Sequence, residues 1–230
     1  MKTITILLAL SALISCSSKG FNREVLRQQL IVEEPRQVTD EDIKKVLEMK
    51  PQLPKPFKVG VYFVENNFRN WDLRWNSNDK QEIMELEEKL KATGEVSKMF
   101  LINESVVNGK DMKAIRLAAA HHGADALLVI SNVSSAEQFM NGWGATYILV
   151  LPALFIPGTT TNALFITRAA LWDVRNEYLY MAVESESVKE RKAPLIISSE
   201  TSELMKAKRD SLNGLKTEIL RMADEMSSKQ

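Results

Sequence analysis

The sequence is poor in cysteine and histidine, with 1 and 2 in 230 residues. A lone cysteine excludes an intrachain disulfide. The two histidines, His121 and His122, are adjacent. Helix neighbours point about 100° apart, so the pair cannot grip one metal ion as an i, i+4 pair does. Just before Gly123 they suit the last turn of a helix, where imidazoles interact favourably with carbonyl ends. No Ser-His, Cys-His or paired-carboxylate arrangement stands out, so no catalytic residue, metal or cofactor is assigned. "NGWGA" at 141–145 is too short for a phosphate loop and no Lys-Ser/Thr follows it. Net charge is lacking as well: 30 Lys and Arg balance 30 Asp and Glu. With no basic run interleaved with aromatics, nothing favours nucleic acid as a partner. Internal repeats and low-complexity tracts are absent. Beyond position 16 no apolar run reaches the roughly 20 residues a membrane-spanning helix needs.

What is present begins at the N-terminus, "MKTITILLALSALISCSS". Lys2 gives a short positive start, and Ile4 to Ile14 form an apolar stretch without charge or proline. Its length suits a secretory signal rather than a span. It ends in Leu13-Ile14-Ser15-Cys16, which resembles the bacterial lipobox: Leu, an aliphatic or small residue, a small residue, then an obligatory Cys. The resemblance implies that residues 1–15 are a signal peptide removed on export. It also implies that the Cys16 thiol is joined to diacylglycerol and that its new amine is acylated, as with palmitate. Two or more chains give lasting attachment, at about 0.8 kcal/mol per buried methylene. Ser17 follows where an inner-membrane retention signal has Asp. Similarity to Gram-negative lipoproteins therefore implies the periplasmic face of the outer membrane. The bland alternative is an N-terminal hydrophobic helix with an incidental buried Cys. Loss of residues 1–15 removes Lys2 and no acid, moving the formal charge from 0 to about −1.

Residues 16–56 are expected to form a tether with some helix. Phe21 to Leu30 suits a helix, and Thr39 with Asp40, Glu41 and Asp42 suits an N-cap and acidic first turn leading into Ile43, Val46 and Leu47. Pro51, Pro54 and Pro56 then favour an extended segment. The domain is expected to span 57–230. Phe57, Val59, Val61 and Phe63 alternate as a strand does. Asn66 to Asn76 reads as a loop. Asn78 with Gln81 resembles a capping box for a helix whose Ile83, Leu86 and Leu90 share a face until Gly94. Val96 to Ile102 is a second strand, Asp111 to His122 a second helix, and Ala126 to Ile130 a buried central strand. Three more strands are expected at Thr146–Leu151, Ala163–Asp173 and Tyr178–Ser187, the last two joined by a turn at Arg175-Asn176. A long helix closes the chain from Thr201 to about Met226. Its Leu212, Leu215, Ile219, Met222 and Met226 suit either packing on the sheet or self-association with a second chain. The expected class is α/β (α+β), a mixed sheet in the order β-α-β-α-β-β-β-β-α.

That order, with "HHGADALLVISNV" and "LFITRAALWDVRNEYLYMAVES", resembles a group of bacterial envelope domains. The group includes the curli-secretion lipoprotein, the lipoprotein activators of peptidoglycan synthases and the N-terminal domain of the Tol translocation protein. Its marks are a helix ending at Gly-Ala-Asp, an apolar strand and a later hairpin with an Asp-Val turn. Here these are Gly123-Ala124-Asp125, Ala126–Ile130 and Asp173-Val174. The motifs encode fold rather than chemistry. Where members often carry Thr-Gly after Asp-Val, this chain has Arg175-Asn176, and Asn tolerates the left-handed conformation. The rhombotarget-type lipoproteins are similar in their lipobox and strand-rich second half.

Candidate contact residues are few. Pro152 to Gly158 carries Leu154, Phe155 and Ile156 between two prolines, where turns are ordinarily polar. Two readings stand: these side chains fold back on the core, or they form an apolar tip touching a partner or the bilayer. Trp71, Trp75 and Trp143 are open in the same way. The expected function is a non-enzymatic, lipid-anchored binding or assembly module for another envelope protein. An alternative is an oligomeric subunit of an outer-membrane secretion pore, which the curli-secretion resemblance implies. Barrel strands need about 9–11 residues, and 145–174 offers one hairpin interrupted by Pro152. A periplasmic hydrolase comes third, for want of a polar cluster.

Overall fold

A computed structural model describes residues 20–30, 38–65, 71–109, 111–141, 157–194 and 199–228. Among them are helices α1 (Arg23–Gln28), α2 (Asp40–Glu48), α3 (Ser77–Met84), α4 (Leu86–Ala92), α5 (Met112–His121) and α6 (Glu200–Ser228). The strands are β1 (Phe57–Phe63), β2 (Val96–Leu101), β3 (Ala126–Met140), β4 (Thr159–Asp173) and β5 (Leu179–Ala193). They form one mixed sheet in the order β2-β1-β3-β4-β5. β1 pairs in parallel with β2 and β3, whereas β3–β4 and β4–β5 are antiparallel. The expected class holds.

β1 meets only the first part of β3, over Ala126 to Ile130. Beyond Ile130 the sheet narrows to an arm of β3, β4 and β5 whose pairing continues to Met140 and Ala193. The expected strand covers only Ala126 to Ile130, and Ser131, Asn132, Ser134 and Ser135 follow it. Ser131 and Asn132 are buried nonetheless, since the ladder with β4 runs through them. The expected strand at 146–151 lies outside the described residues.

Side chains alternate between the faces of each strand, and the two faces have separate covers. On one face α6 and the α3–α4 pair bury Val59, Val61, Leu128, Ile130, Ala169, Leu171 and Val183 against Leu212, Leu215 and Ile219. Each large aliphatic side chain so buried contributes about 1.5–3 kcal/mol. Gly214 lets α6 approach β5: a Cβ there would lie 2.2 Å from the Ser185 Oγ. On the other face α5 covers Leu127 and Val129 with Ile115, Ala118 and Ala119.

Several ends differ by local chemistry. The first helix of the domain is capped by Asn76 and Asp79 rather than Asn78 and Gln81, each side chain accepting from the other's backbone N–H. It breaks at Glu85 into α3 and α4. Thr39 caps α2 as expected, and the Asp42 side chain completes a reciprocal box with it. In the β4–β5 hairpin the left-handed residue is Glu177, with φ 65°, not Asn176. Arg116 of α5 pairs with the Glu177 carboxylate and donates to the Val174 carbonyl at 2.8 Å, holding the turn in that shape. The Gly-Ala-Asp and Asp-Val motifs are framework: Asp125 accepts from the Lys58 N–H at 3.0 Å and pairs with Arg175 at 2.7 Å. Asp173 accepts from the Arg175 N–H at 2.8 Å and from the Tyr180 hydroxyl at 3.0 Å.

In the segment expected to be a tether with some helix, the described residues are partly docked. Leu30 is buried against Val133, Leu164 and Ile166, with Phe21 and Leu26 packed beside it. Farther on, the Tyr180 hydroxyl accepts from the N–H of Gln52 at 2.8 Å and of Leu53 at 3.1 Å, and Asn176 donates to the Lys50 carbonyl at 2.7 Å. Extended, proline-rich backbone leaves its N–H groups unpaired locally, so they are met by the hairpin.

Candidate partner-contact site

The stretch Trp71 to Asn76 puts one apolar ring outside and two apolar side chains inside. Trp71–Leu73 is a single 3-10 turn. Leu73 is buried with Ala163 and Phe165 of β4 and Leu204 and Ala207 of α6. Trp75 enters the core, edge-on to Phe63 with centroids 5.2 Å apart, and its Nε1–H donates to the Val64 carbonyl at 3.0 Å. Trp75 is therefore a core residue, and the expectation of a contact role is corrected: its indole has both an apolar bed and a hydrogen-bond acceptor inside.

Trp71 is 74 % exposed. The Arg74 guanidinium lies over its ring, 3.8 Å from the centroid, as the i, i+3 spacing of a 3-10 turn brings about. The backbone beneath is fixed by Lys208 of α6, whose Nζ donates to the Arg74 carbonyl at 2.6 Å. A large rigid ring on a pinned turn loses little freedom on binding, and Trp and Arg are the residues that most often dominate interface energy. Charged groups border the turn. Lys80 sits 3.7 Å from Glu65 and 3.9 Å from Glu104. Burial and the Glu104 charge push the Glu65 carboxyl above its usual value, with Lys80, Arg74 and Lys208 opposing. Burial, with Glu104 and Glu65 nearby, likewise raises the Tyr62 hydroxyl. Stacking, charge pairing and hydrogen-bond donation are what these groups offer.

The structure bears on two of the expected site residues, Trp71 and Trp75. Cys16, Trp143, Leu154, Phe155 and Ile156 lie outside the described residues. Flanking the segment that carries four of them, the Asn141 N–H donates to the Gly158 carbonyl at 2.8 Å. His122 caps α5, its Nδ1 2.8 Å from the Ala118 carbonyl and its ring stacked on Phe100. Among the described residues no three His, Cys, Asp or Glu side chains converge as a metal site, and no helix is long and apolar enough to cross a membrane.

Arg74 is not singled out by the sequence, its three-residue spacing from Trp71 being the one available signal. The expected helix α2 forms, but its Ile43, Val46 and Leu47 are exposed although their spacing is that of a core-facing helix.

No family model matches the sequence, and no curated relative matches it. Solved structures with a similar arrangement include a minor lipoprotein from Acinetobacter baumannii, at 10% identity over 76% of this chain and 96% of that one, with a TM-score of 0.35. Lipoprotein GNA1162 from Neisseria meningitidis shares 13% identity over 69% and 99% of the two chains, with a TM-score of 0.35. The LpoB C-terminal domain from Salmonella enterica shares 12% over 72% and 98%, with a TM-score of 0.31. Bacterial lipoproteins are thus among the structures this chain resembles. Likeness at this level carries no functional argument, so function rests on the residues themselves.

Proposed function

We propose that this chain is a non-enzymatic, lipid-anchored envelope protein that binds a protein partner through Trp71 and Arg74. The observation that carries the reading is an indole left outside on a turn whose neighbours Leu73 and Trp75 are both buried. A loop that buries two of three large apolar side chains and pins its backbone to α6 presents the third at a fixed place. Cys16 supplies attachment through its acyl chains, with Ser17 favouring the periplasmic face of the outer membrane. Leu154, Phe155, Ile156 and Trp143 remain proposed as a second contact to a partner or the bilayer.

The Trp71 turn and α1 are on opposite faces of β4. Leu73 packs on the side of β4 that carries Ala163 and Phe165, while α1 and Leu30 pack on the side that carries Leu164 and Ile166. A partner on the Trp71 side and a membrane on the other can be engaged together.

The test is cross-linking in cells of the lipidated full chain, with products identified by mass spectrometry. The reading expects one discrete adduct with another envelope protein, lost in Trp71→Ala. An adduct unchanged in that variant removes Trp71 from the interface. A ladder of the chain with itself, ending at one large species, favours the pore subunit instead. One observation speaks for that second reading: β3, β4 and β5 are each 15 residues long, more than the about 9–11 a barrel strand needs. Against it, α6 packs on one face of the arm at Ala163 and Phe165 and α1 on the other at Leu164 and Ile166, and a barrel wall would have to shed both.

A further inference from the structure

The lipobox cysteine stands five positions before Phe21, the first of the described residues to pack on the sheet. Extended chain covers about 17 Å between positions 16 and 21, at about 3.4 Å per residue. While α1 stays docked, the β3–β4–β5 arm is held that close to whatever holds Cys16.

The hold itself is slight. α1 has six residues, none of them buried, far short of the about 12–15 at which a helix becomes even marginally stable alone. Leu30 is the fully buried anchor, with Phe21 and Leu26 partly covered. The rest is charge: Arg23 pairs with Glu186 at 2.8 Å, and Arg27 pairs with Glu184 at 2.7 Å and with Glu186 at 3.4 Å. These are solvent-exposed pairs, individually weak and screened by salt. α2 adds no buried residue. The next point at which the described chain is fastened to the domain is Lys50 to Leu53, at the hairpin and Tyr180. Position 50 is 34 residues beyond position 16, a chain length that spans at most about 115 Å, so lifting α1 raises the limit on how far the domain can stand from Cys16.

We propose that α1 and Leu30 form a releasable strap: docked, it holds the domain against the membrane, and released, it lets the domain reach across several times that distance. The inference rests on lipidation of Cys16, but its structural half does not. Lifting the strap uncovers Val133, Leu164 and Ile166 beside Glu184 and Glu186. That surface suits a short helix carrying apolar residues and two arginines four apart, which α1 itself is. Re-docking is thereby specific.

The experiment uses the lipidated full chain in phosphatidylethanolamine–phosphatidylglycerol vesicles. Hydrogen–deuterium exchange is followed in the peptide over 21–30 and in β4. Energy transfer is measured from a dye at Lys113→Cys to acceptors in the headgroups. The strap predicts that 21–30 exchanges at least about 100-fold faster than β4, yet about 10-fold slower than free chain, because it opens locally. Arg23→Glu with Arg27→Glu should raise that rate about 10-fold, leave β4 unchanged and lower the energy transfer several-fold. Exchange of 21–30 at the β4 rate would make the segment a fixed part of the fold, and exchange at the free-chain rate would mean it never docks. Either overturns the strap, as does energy transfer unaltered by the double substitution. The mass of the N-terminal peptide is read separately. Absence of acyl chains on Cys16 overturns the anchor and the reach set by it, whereas the exchange rates judge docking alone.

Discussion

Lys208 and Asp79 meet at 2.6 Å inside the protein, the lysine side chain being 2 % exposed. Asp79 is also the reciprocal partner in the Asn76 capping box, and the Lys208 Nζ lies 5.8 Å from the Trp75 ring centroid. One ion pair therefore joins α6, the start of α3 and the turn that presents Trp71. Removing one partner of a buried pair leaves the other charge uncompensated, at about 3–5 kcal/mol. Lys208→Ala should lose that much in urea unfolding and should weaken partner capture as well. A loss below about 1 kcal/mol would show that Asp79 finds other solvation.

The two indoles of the same loop separate binding from folding. Trp75→Ala empties a core position and should cost about 3–5 kcal/mol. Trp71→Ala removes a ring that lies outside and should stay within about 0.5 kcal/mol of the parent while abolishing the cross-linked adduct. Thermal melts of both variants beside the cross-linking gel make the comparison. Equal destabilisation would show that Trp71 is structural.

Glu65 gives a pH signature. Its carboxyl is pushed up by burial and by Glu104, so the folded state binds the proton more tightly than the unfolded one. Ionisation then subtracts from stability as pH rises past the ordinary value of about 4.3, and the cost persists at neutral pH. Glu65→Gln should melt higher than the parent at pH 7, with the gap closing below about pH 4. A lower melting temperature at pH 7 would mean that attraction to Lys80 outweighs burial.

Glu177 occupies the left-handed region at φ 65°. Glycine adopts that conformation at little cost, whereas a Cβ costs on the order of 1 kcal/mol. Glu177→Gly should therefore be about 1 kcal/mol more stable than Glu177→Ala by denaturant unfolding, the Arg116 pair being lost in both. Equal stability would show that the turn relaxes once Arg116 is released.

Much of the framework is legible as local pattern. The alternation of Phe57, Val59, Val61 and Phe63, the Thr39–Asp42 cap and the spacing of Leu212, Leu215 and Ile219 each announce the element that forms. The candidate site was only half legible. Trp71 and Trp75 are the same residue type four positions apart on one loop, and nothing local says which turns inward. That depends on Phe63, the Val64 carbonyl and Lys208, which the sheet and α6 bring in from elsewhere.

The sequence alone determined the kind of elements and the presence of a mixed sheet, because periodicity and capping are read over a few residues. Tertiary structure decided how far β3 runs, where Glu177 bends the hairpin and that α1 lies on the sheet rather than free. Each of these depends on burial against partners distant in sequence: β4 for Ser131 and Asn132, Arg116 for Glu177, and Val133, Leu164 and Ile166 for Leu30.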